Sequence, residues 1–412
     1  MASHVSTTED EDFNAVGAWF LGAKGENHET LLKLFELTLH LHVKSRRSYF
    51  PDDPSPITPE MQSTPIFQHN IARLQDILSD FSEAMGDFSV PFWNPRYLGH
   101  MVMDTSMPGI IGYLSAMLYN PNNVAIEASP FTTLLERVVG LDFCGMVGYN
   151  TRNSEAPLSW GHMTSGGTVS NIESMWVARN LKFYPLSIKL ALRNELQFIE
   201  GSFKVRTCQG TYKLFREFST WELLNIRPND VLDIPTRLES QYGISPTFLA
   251  NVLRSYSVQT LGKGYLEEKF GIQSPSAYFA SAAMHYSWPK SAALTGIGSE
   301  NVIAIRVDPS ARLDPKDLKK KLDKCLEDKR AVYAVVAIIG TTEHGACDPL
   351  CDILTLRNEF QEKGLSFLVH ADAAWGAYFV STFRNIWESV HNRDSTLRFS
   401  DPTGGKLLSM GE

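Results

Sequence analysis

The chain has 412 residues, 43% hydrophobic and 20% charged, with a formal net charge of −8. That length can bury a substantial core without staples, and an acidic chain with no long basic run is not built mainly for nucleic acid. The five cysteines, Cys144, Cys208, Cys325, Cys347 and Cys351, are scattered; they read as reduced thiols of an intracellular protein. The Cys347/Cys351 spacing is too wide for a C-x-x-C motif, and no His/Cys set for a metal is expected.

In chain order, residues 1–12 are polar and acidic, lack the basic start and apolar core of a signal peptide, and are expected to be a disordered tail. No apolar run approaches the ~20 residues of a membrane span, so a cytoplasmic protein without a membrane partner is expected. Residues 13–130 are read as an N-terminal helical segment. Leu31, Leu34, Phe35 and Leu39 recur at helical spacing within a helix expected from Ala15 to about Tyr49. Phe50-Pro-Asp-Asp-Pro-Ser-Pro breaks it, and a second helix is expected from about Ile66 to Met85.

Residues 131–391 are read as an α/β large domain. A helical pattern runs from Val169 to about Phe183, and the stretch Gly201–Gly264 is more polar and fits a sheet poorly. Strands are then expected at Ala277–Ala283, Val302–Val307, Ala331–Ile339 and Leu365–Val369. The intervening helices run from His285 to about Thr295, over Asp314–Leu326 and over Pro349–Lys363. Asp314-Pro315 is a cap followed by proline in the first turn. Ala331–Ile339 is almost continuously apolar, as a strand buried on both faces should be. The Lys316–Lys324 run sits among leucines and acidic residues and reads as a solvated helix face. This alternation predicts a mainly parallel sheet. Residues 392–412 are polar and turn-rich, an irregular end.

Four motifs carry chemistry. Thr164-Ser165-Gly166-Gly167-Thr168 opens a helix: paired glycines admit an oxyanion to the backbone, the helix start offers N–H groups, and Thr168 adds a hydroxyl. A turn with an N-cap is the plain alternative. Leu368-Val369-His370-Ala371-Asp372-Ala373-Ala374-Trp375-Gly376 ends an apolar strand in a carboxylate, which could pair with a cationic ring nitrogen or simply cap a loop. His285-Tyr286-Ser287-Trp288-Pro289-Lys290 puts a histidine at a strand-to-helix junction, where it could stack on a ring, move protons or serve only structure. Lys290 resembles a candidate Schiff-base lysine, but an early helix residue facing solvent is expected. Gly340-Thr341-Thr342-Glu343-His344-Gly345 brings hydroxyls to the end of another strand.

From about Trp19 to Phe379 the chain resembles the group II pyridoxal-phosphate-dependent amino-acid decarboxylases. The resemblance rests on Asn94-Pro-Arg-Tyr-Leu-Gly-His-Met, on the segment from Tyr119 to Pro130 and on the four motifs above. Trp160-Gly161-His162 and the segment from Ala178 to Ser187 look most like the microbial tyrosine decarboxylases. The resemblance implies the aminotransferase-like fold type I, pyridoxal 5'-phosphate (PLP) as cofactor, a homodimer, and decarboxylation of an aromatic L-amino acid, tyrosine foremost, to its amine and carbon dioxide. It implies that Gly166, Gly167 and Thr168 hold the phosphate and that Asp372 pairs with the pyridine nitrogen. His285 and Ala374 would cover the two ring faces, Thr342 would lie near the ring hydroxyl, and His100 and Asn122 near the substrate. His285 and Asp372 are then the catalytic candidates.

One departure stands out. The family's Schiff-base lysine lies in an Asp-Pro-His-Lys-like sequence some tens of residues after the Asp-Ala-Ala-Trp-Gly motif. Here Asp401-Pro402 is followed by Thr403-Gly404-Gly405-Lys406. A chain truncated before that lysine, without the small C-terminal domain, is therefore expected. The alternative function is a non-catalytic, PLP-binding or dimerising chain.

Overall fold

A computed structural model describes residues 15–99, 101–152, 157–382 and the short strand pieces 398–399 and 408–409. Contacts divide the chain between Arg137 and Val138 into two compact units. The expected irregular end, with Lys406, lies outside the described residues apart from Arg398, Phe399, Leu408 and Ser409.

The first unit is helical: α1 (His28–Ser48), α2 (Pro65–Phe88) and α3 (Met107–Tyr119). The helix expected from Ala15 is not continuous. Gly22 and Gly25 adopt φ of +90° and +76°, and Asn27 ties down the resulting turn by donating to the carbonyls of Gly17 and Phe20. Glycine takes that backbone region without the Cβ clash other residues suffer, so the helix starts only after the turn. Helix α3 starts at Ser106, whose hydroxyl accepts from Gly109 N–H. It packs on α1, with the rings of His42 and Tyr119 edge to face at 4.5 Å. Helix α2 buries no residue.

A further helix, α4 (Pro130–Met146), contains the division. In the second unit, a long helix α5 (Gly167–Leu192) precedes a hairpin of β1 (Lys204–Arg206) and β2 (Tyr212–Leu214) and helices α6 (Pro228–Tyr242) and α7 (Pro246–Arg254). Then β3 (Ala277–Ser281), β4 (Val302–Ile305), β5 (Val332–Ile338) and β6 (Leu368–Asp372) alternate with α8 (Ser287–Leu294), α9 (Pro315–Glu327) and α10 (Leu350–Glu362). The four strands form a parallel sheet in the order β4-β3-β5-β6.

All seven residues of β5 are buried because both sheet faces are covered. Tyr278, Ala280, Val336 and Ile338 join the cluster containing α5 and the α6–α7 region. Phe279, Val335 and Ala337 join the cluster containing α9 and α10. Period-two alternation produces this division, and it skips at Tyr333, where the β3–β5 register shifts. Each fully buried large apolar side chain contributes about 1.5–3 kcal/mol.

Two stretches differ from expectation. Helix α5 continues through Pro185 to Leu192, and every residue from Pro185 to Leu192 is buried; packing there outweighs the lost hydrogen bond. Gly201–Gly264 lies outside the four-stranded sheet, as its polarity suggests, but is built of capped helices and a hairpin. Prolines occupy the first turns of α6 and α7, Ser245 caps α7, and Ser219 and Glu222 form a capping box on a short helix at Thr220–Leu224. Their apolar faces complete the α5 side of the sheet.

Candidate active site

In a parallel sheet every strand ends at the same edge, so the loops after β3, β5 and β6 gather there. The β5–β6 register sets Ile338 beside Asp372. The β6 loop turns sharply at Gly376, where a Cβ would lie 2.1 Å from the Ile339 carbonyl oxygen. It carries Trp375 over the β5 loop, against Gly340 and Gly345, whose φ angles are +96° and +63°.

Helix α5 begins at this edge. Gly166 has φ +92° and no side chain caps the helix start; its own N–H donates to the Thr164 carbonyl and that of Val169 to the Gly166 carbonyl, which leaves the Gly167 and Thr168 N–H groups to face an anion. A Cβ on Gly167 would stand 3.5 Å from the Cβ of Ala374, which brings the glycine pair and the Asp372 loop into contact. Behind the loop, Gly140 and Gly161 press together: a Cβ on either would come within 2.4 Å of the other's carbonyl oxygen.

Asp372 is held by an interior donor. Trp288 Nε1 donates to Asp372 Oδ2 at 2.9 Å, while Oδ1 has only a long 3.5 Å contact from Ala374 N–H. Trp288 is fully buried, and His370 lies edge-on to it at 5.2 Å. Burial holds the His370 imidazole below its ordinary pKa, opposed by the Asp372 charge.

His285 sits just before α8. Its Nδ1 accepts the Ser287 backbone N–H at 3.2 Å and lies 2.8 Å from the Ser287 hydroxyl, which accepts from Asn171 Nδ2 at 3.0 Å. Because Nδ1 is an acceptor, this network assigns the proton of a neutral ring to Nε2. The histidine is thereby tied to α5 through Asn171.

The β5 loop contains two threonines with different surroundings. Thr341 is buried and its hydroxyl accepts from Ala346 N–H, whereas Thr342 is exposed. Asp348 anchors the loop by accepting backbone N–H groups of Leu313 and Ile338 at 2.7 and 2.8 Å. Thr168 is half-buried in the first turn of α5. Lys290 is exposed, 5.2 Å from the Tyr286 ring centre. Asn122 belongs to the first unit, where it is exposed and its Oδ1 accepts from Val124 N–H; His100 lies outside the described residues.

The structure thus brings Gly167, Asp372 and Ala374 together and places His285 and Thr342 on loops of the same edge. Trp288, Asn171 and Ser287 were not singled out from sequence; the Trp–Asp pair is 84 residues apart along the chain. A groove of about 760 Å³ along α9 shares none of these residues. Among the described residues, no group of three or more His, Cys, Asp or Glu side chains could hold a metal ion.

Fold and edge together define an α/β domain with a helix start and an oriented carboxylate at one sheet edge. Residues 255–399 match the pyridoxal-dependent decarboxylase conserved domain. The chain is 32% identical over 376 residues to an L-tyrosine decarboxylase of Levilactobacillus brevis, covering 91% of this chain and 53% of that protein. It is 32% identical over 365 residues to an L-tyrosine decarboxylase of Enterococcus faecalis, covering 88% and 52%. The glutamate decarboxylase domain of a Vibrio parahaemolyticus diaminobutyrate-pyruvate transaminase and L-2,4-diaminobutyrate decarboxylase has a similar fold, with TM-score 0.50, 15% identity, and coverage of 88% of this chain and 61% of that one.

The chain is thus similar to the pyridoxal-dependent decarboxylases, through the matched domain and through these relatives over most of its own length. It spans about half the length of the curated relatives it matches. The family's cofactor is PLP. The site's residues fit that group: an uncapped helix start with two glycines suits a phosphate, a carboxylate oxygen remains for a ring nitrogen, and Ala374 leaves room for a flat ring.

Proposed function

We propose that this protein takes part in the PLP-dependent decarboxylation of an aromatic L-amino acid, with tyrosine as the substrate. The observation that carries this reading is the contact of Gly167 with Ala374, which joins the helix start to the Asp372 loop. The identity to two L-tyrosine decarboxylases supports the choice of substrate and favours catalysis over a non-catalytic, cofactor-binding chain.

In this reading Gly166, Gly167 and Thr168 would form the phosphate cradle, with the Gly167 and Thr168 N–H groups and the Thr168 hydroxyl as donors. Asp372 would accept the pyridine N–H and keep that nitrogen protonated. His285 and Ala374 would hold the ring, with Thr342 available to its hydroxyl. His100 and Asn122 are the residues proposed to serve the substrate. Bound PLP supplies the electron sink that loss of carbon dioxide needs. The protein fixes its orientation and protonation, with His285 already held by Ser287 and Asn171.

The protein is proposed to work as a cytoplasmic homodimer. Helix α2 supports the pairing: Ile71, Leu74, Leu78, Phe81, Met85 and Phe88 recur every three or four residues and are all exposed.

The test is release of labelled carbon dioxide from carboxyl-labelled L-tyrosine, L-phenylalanine and L-glutamate by the purified protein with PLP. Release from tyrosine, lost in D372A, is expected. Bound PLP with no release from either aromatic acid would overturn the reading.

A further inference from the structure

We propose that Trp288 is a positioning residue for the cofactor, acting through Asp372; the inference rests on the PLP reading above. The Trp288 indole N–H donates to Asp372 Oδ2 at 2.9 Å. A carboxylate has two oxygens and rotates about one bond. A fixed donor on Oδ2 leaves Oδ1 on the side of Ala374, whose Cβ stands 3.5 Å from the position a Cβ would take on Gly167. The donor is itself immobile: Trp288 is fully buried, packed 5.7 Å from the Tyr278 ring on β3 and 5.2 Å from the His370 ring on β6. The aspartate belongs to a strand end and an exposed loop, so without the indole only the long Ala374 contact would orient it.

The same helical turn serves the other candidate. Ser287 holds His285 Nδ1 and the next residue, Trp288, holds Asp372. Helix α8 therefore sets two groups expected against the cofactor ring from one rigid turn. Phenylalanine at 288 would keep most of the packing and remove the donor. A hydrogen bond to a charged acceptor, lost while the acceptor remains, is worth about a tenfold change in binding when orientation depends on it.

The experiment is a double-mutant cycle on the 412-residue protein, titrated calorimetrically with pyridoxamine 5'-phosphate, which has no aldehyde and needs no lysine. The proteins are wild type, W288F, D372N and the double variant. W288F should weaken binding about tenfold when Asp372 is present and less than about twofold in the D372N background. Equal losses in both backgrounds would mean that Trp288 only supports the fold, and would overturn the inference while leaving the PLP reading intact. Wild-type affinity in D372N would overturn the PLP reading itself.

A second measurement does not depend on W288F folding. The chain has eight tryptophans, and one of their indole N–H resonances should move when Asp372→Asn is introduced without ligand. No movement in any of them would contradict the hydrogen bond.

Discussion

Strand β5 buries seven consecutive side chains, whereas α2 runs for 24 residues and buries none, although leucine, isoleucine and phenylalanine are plentiful in it. In β5 both faces meet helices, so every apolar residue leaves water. In α2 the apolar residues keep a spacing near 3.5, the period of helices that seat against another helix. One region is stabilised from within its own unit. The other presents a surface that fits the proposed pairing of two copies.

Breaking the interior region should give the largest effect. Val335→Asp places an unpaired carboxylate at a fully buried position and should cost more than about 4 kcal/mol. The expected outcome is loss of the cooperative urea transition by circular dichroism; a midpoint near wild type would refute the two-faced core.

A smaller effect is expected at the loop anchor. Asp348→Asn leaves one oxygen for two backbone N–H groups, those of Leu313 and Ile338. One buried donor loses its partner, at about 1–3 kcal/mol. Urea titration should show that loss with an unchanged slope.

Next comes a pH effect. Burial pushes the Lys182 ammonium down to about 7 from its ordinary 10.5, partly opposed by Cys208, and its Nζ donates to the Ser366 carbonyl. Between those values the unfolded chain binds more protons than the folded one, so this group makes stability rise with pH across that window. Lys182→Met should remove the rise, which amounts to at most about 1.4 kcal/mol per pH unit. Parallel stability curves for the two proteins from pH 7 to 10 would contradict it.

The smallest effect on folding should come from Leu74→Asp with Phe81→Asp. Both positions are exposed, so the unfolding midpoint of the α/β unit should move by less than about 0.5 kcal/mol. Sedimentation velocity should show the pairing weakened. Unchanged association would remove α2 from the proposed interface.

Much of the α/β unit was legible because its signals are local. The apolar run at Val332–Ile338 and the Asp314-Pro315 start of α9 each identify an element within a few residues. The glycine pair likewise marks the start of α5 from local backbone chemistry. Parts that depend on distant partners could not be read. Nothing near Trp288 announces that its N–H will meet Asp372, and nothing in Thr341-Thr342 tells which hydroxyl turns inward. Helices α6 and α7 were missed because capping and first-turn prolines mark them more clearly than polarity does. The approach of Ala374 to Gly167 was not foreseen: the family resemblance gave the two residues separate roles, and spacing alone cannot join residues from separate loops.

The central claim is that the α5 start and the β6 loop form one PLP site. Equilibrium dialysis of the purified chain with pyridoxal 5'-phosphate and with pyridoxal, repeated on Gly167→Val, tests it most directly. The valine side chain would reach Ala374, which already stands 3.5 Å from the position of a Cβ. Saturable binding of the phosphate ester, at least about tenfold tighter than pyridoxal in the wild type and with that preference lost in the variant, is the predicted result. Equal binding of the two compounds by the wild type, or a phosphate preference that survives in Gly167→Val, would contradict the claim.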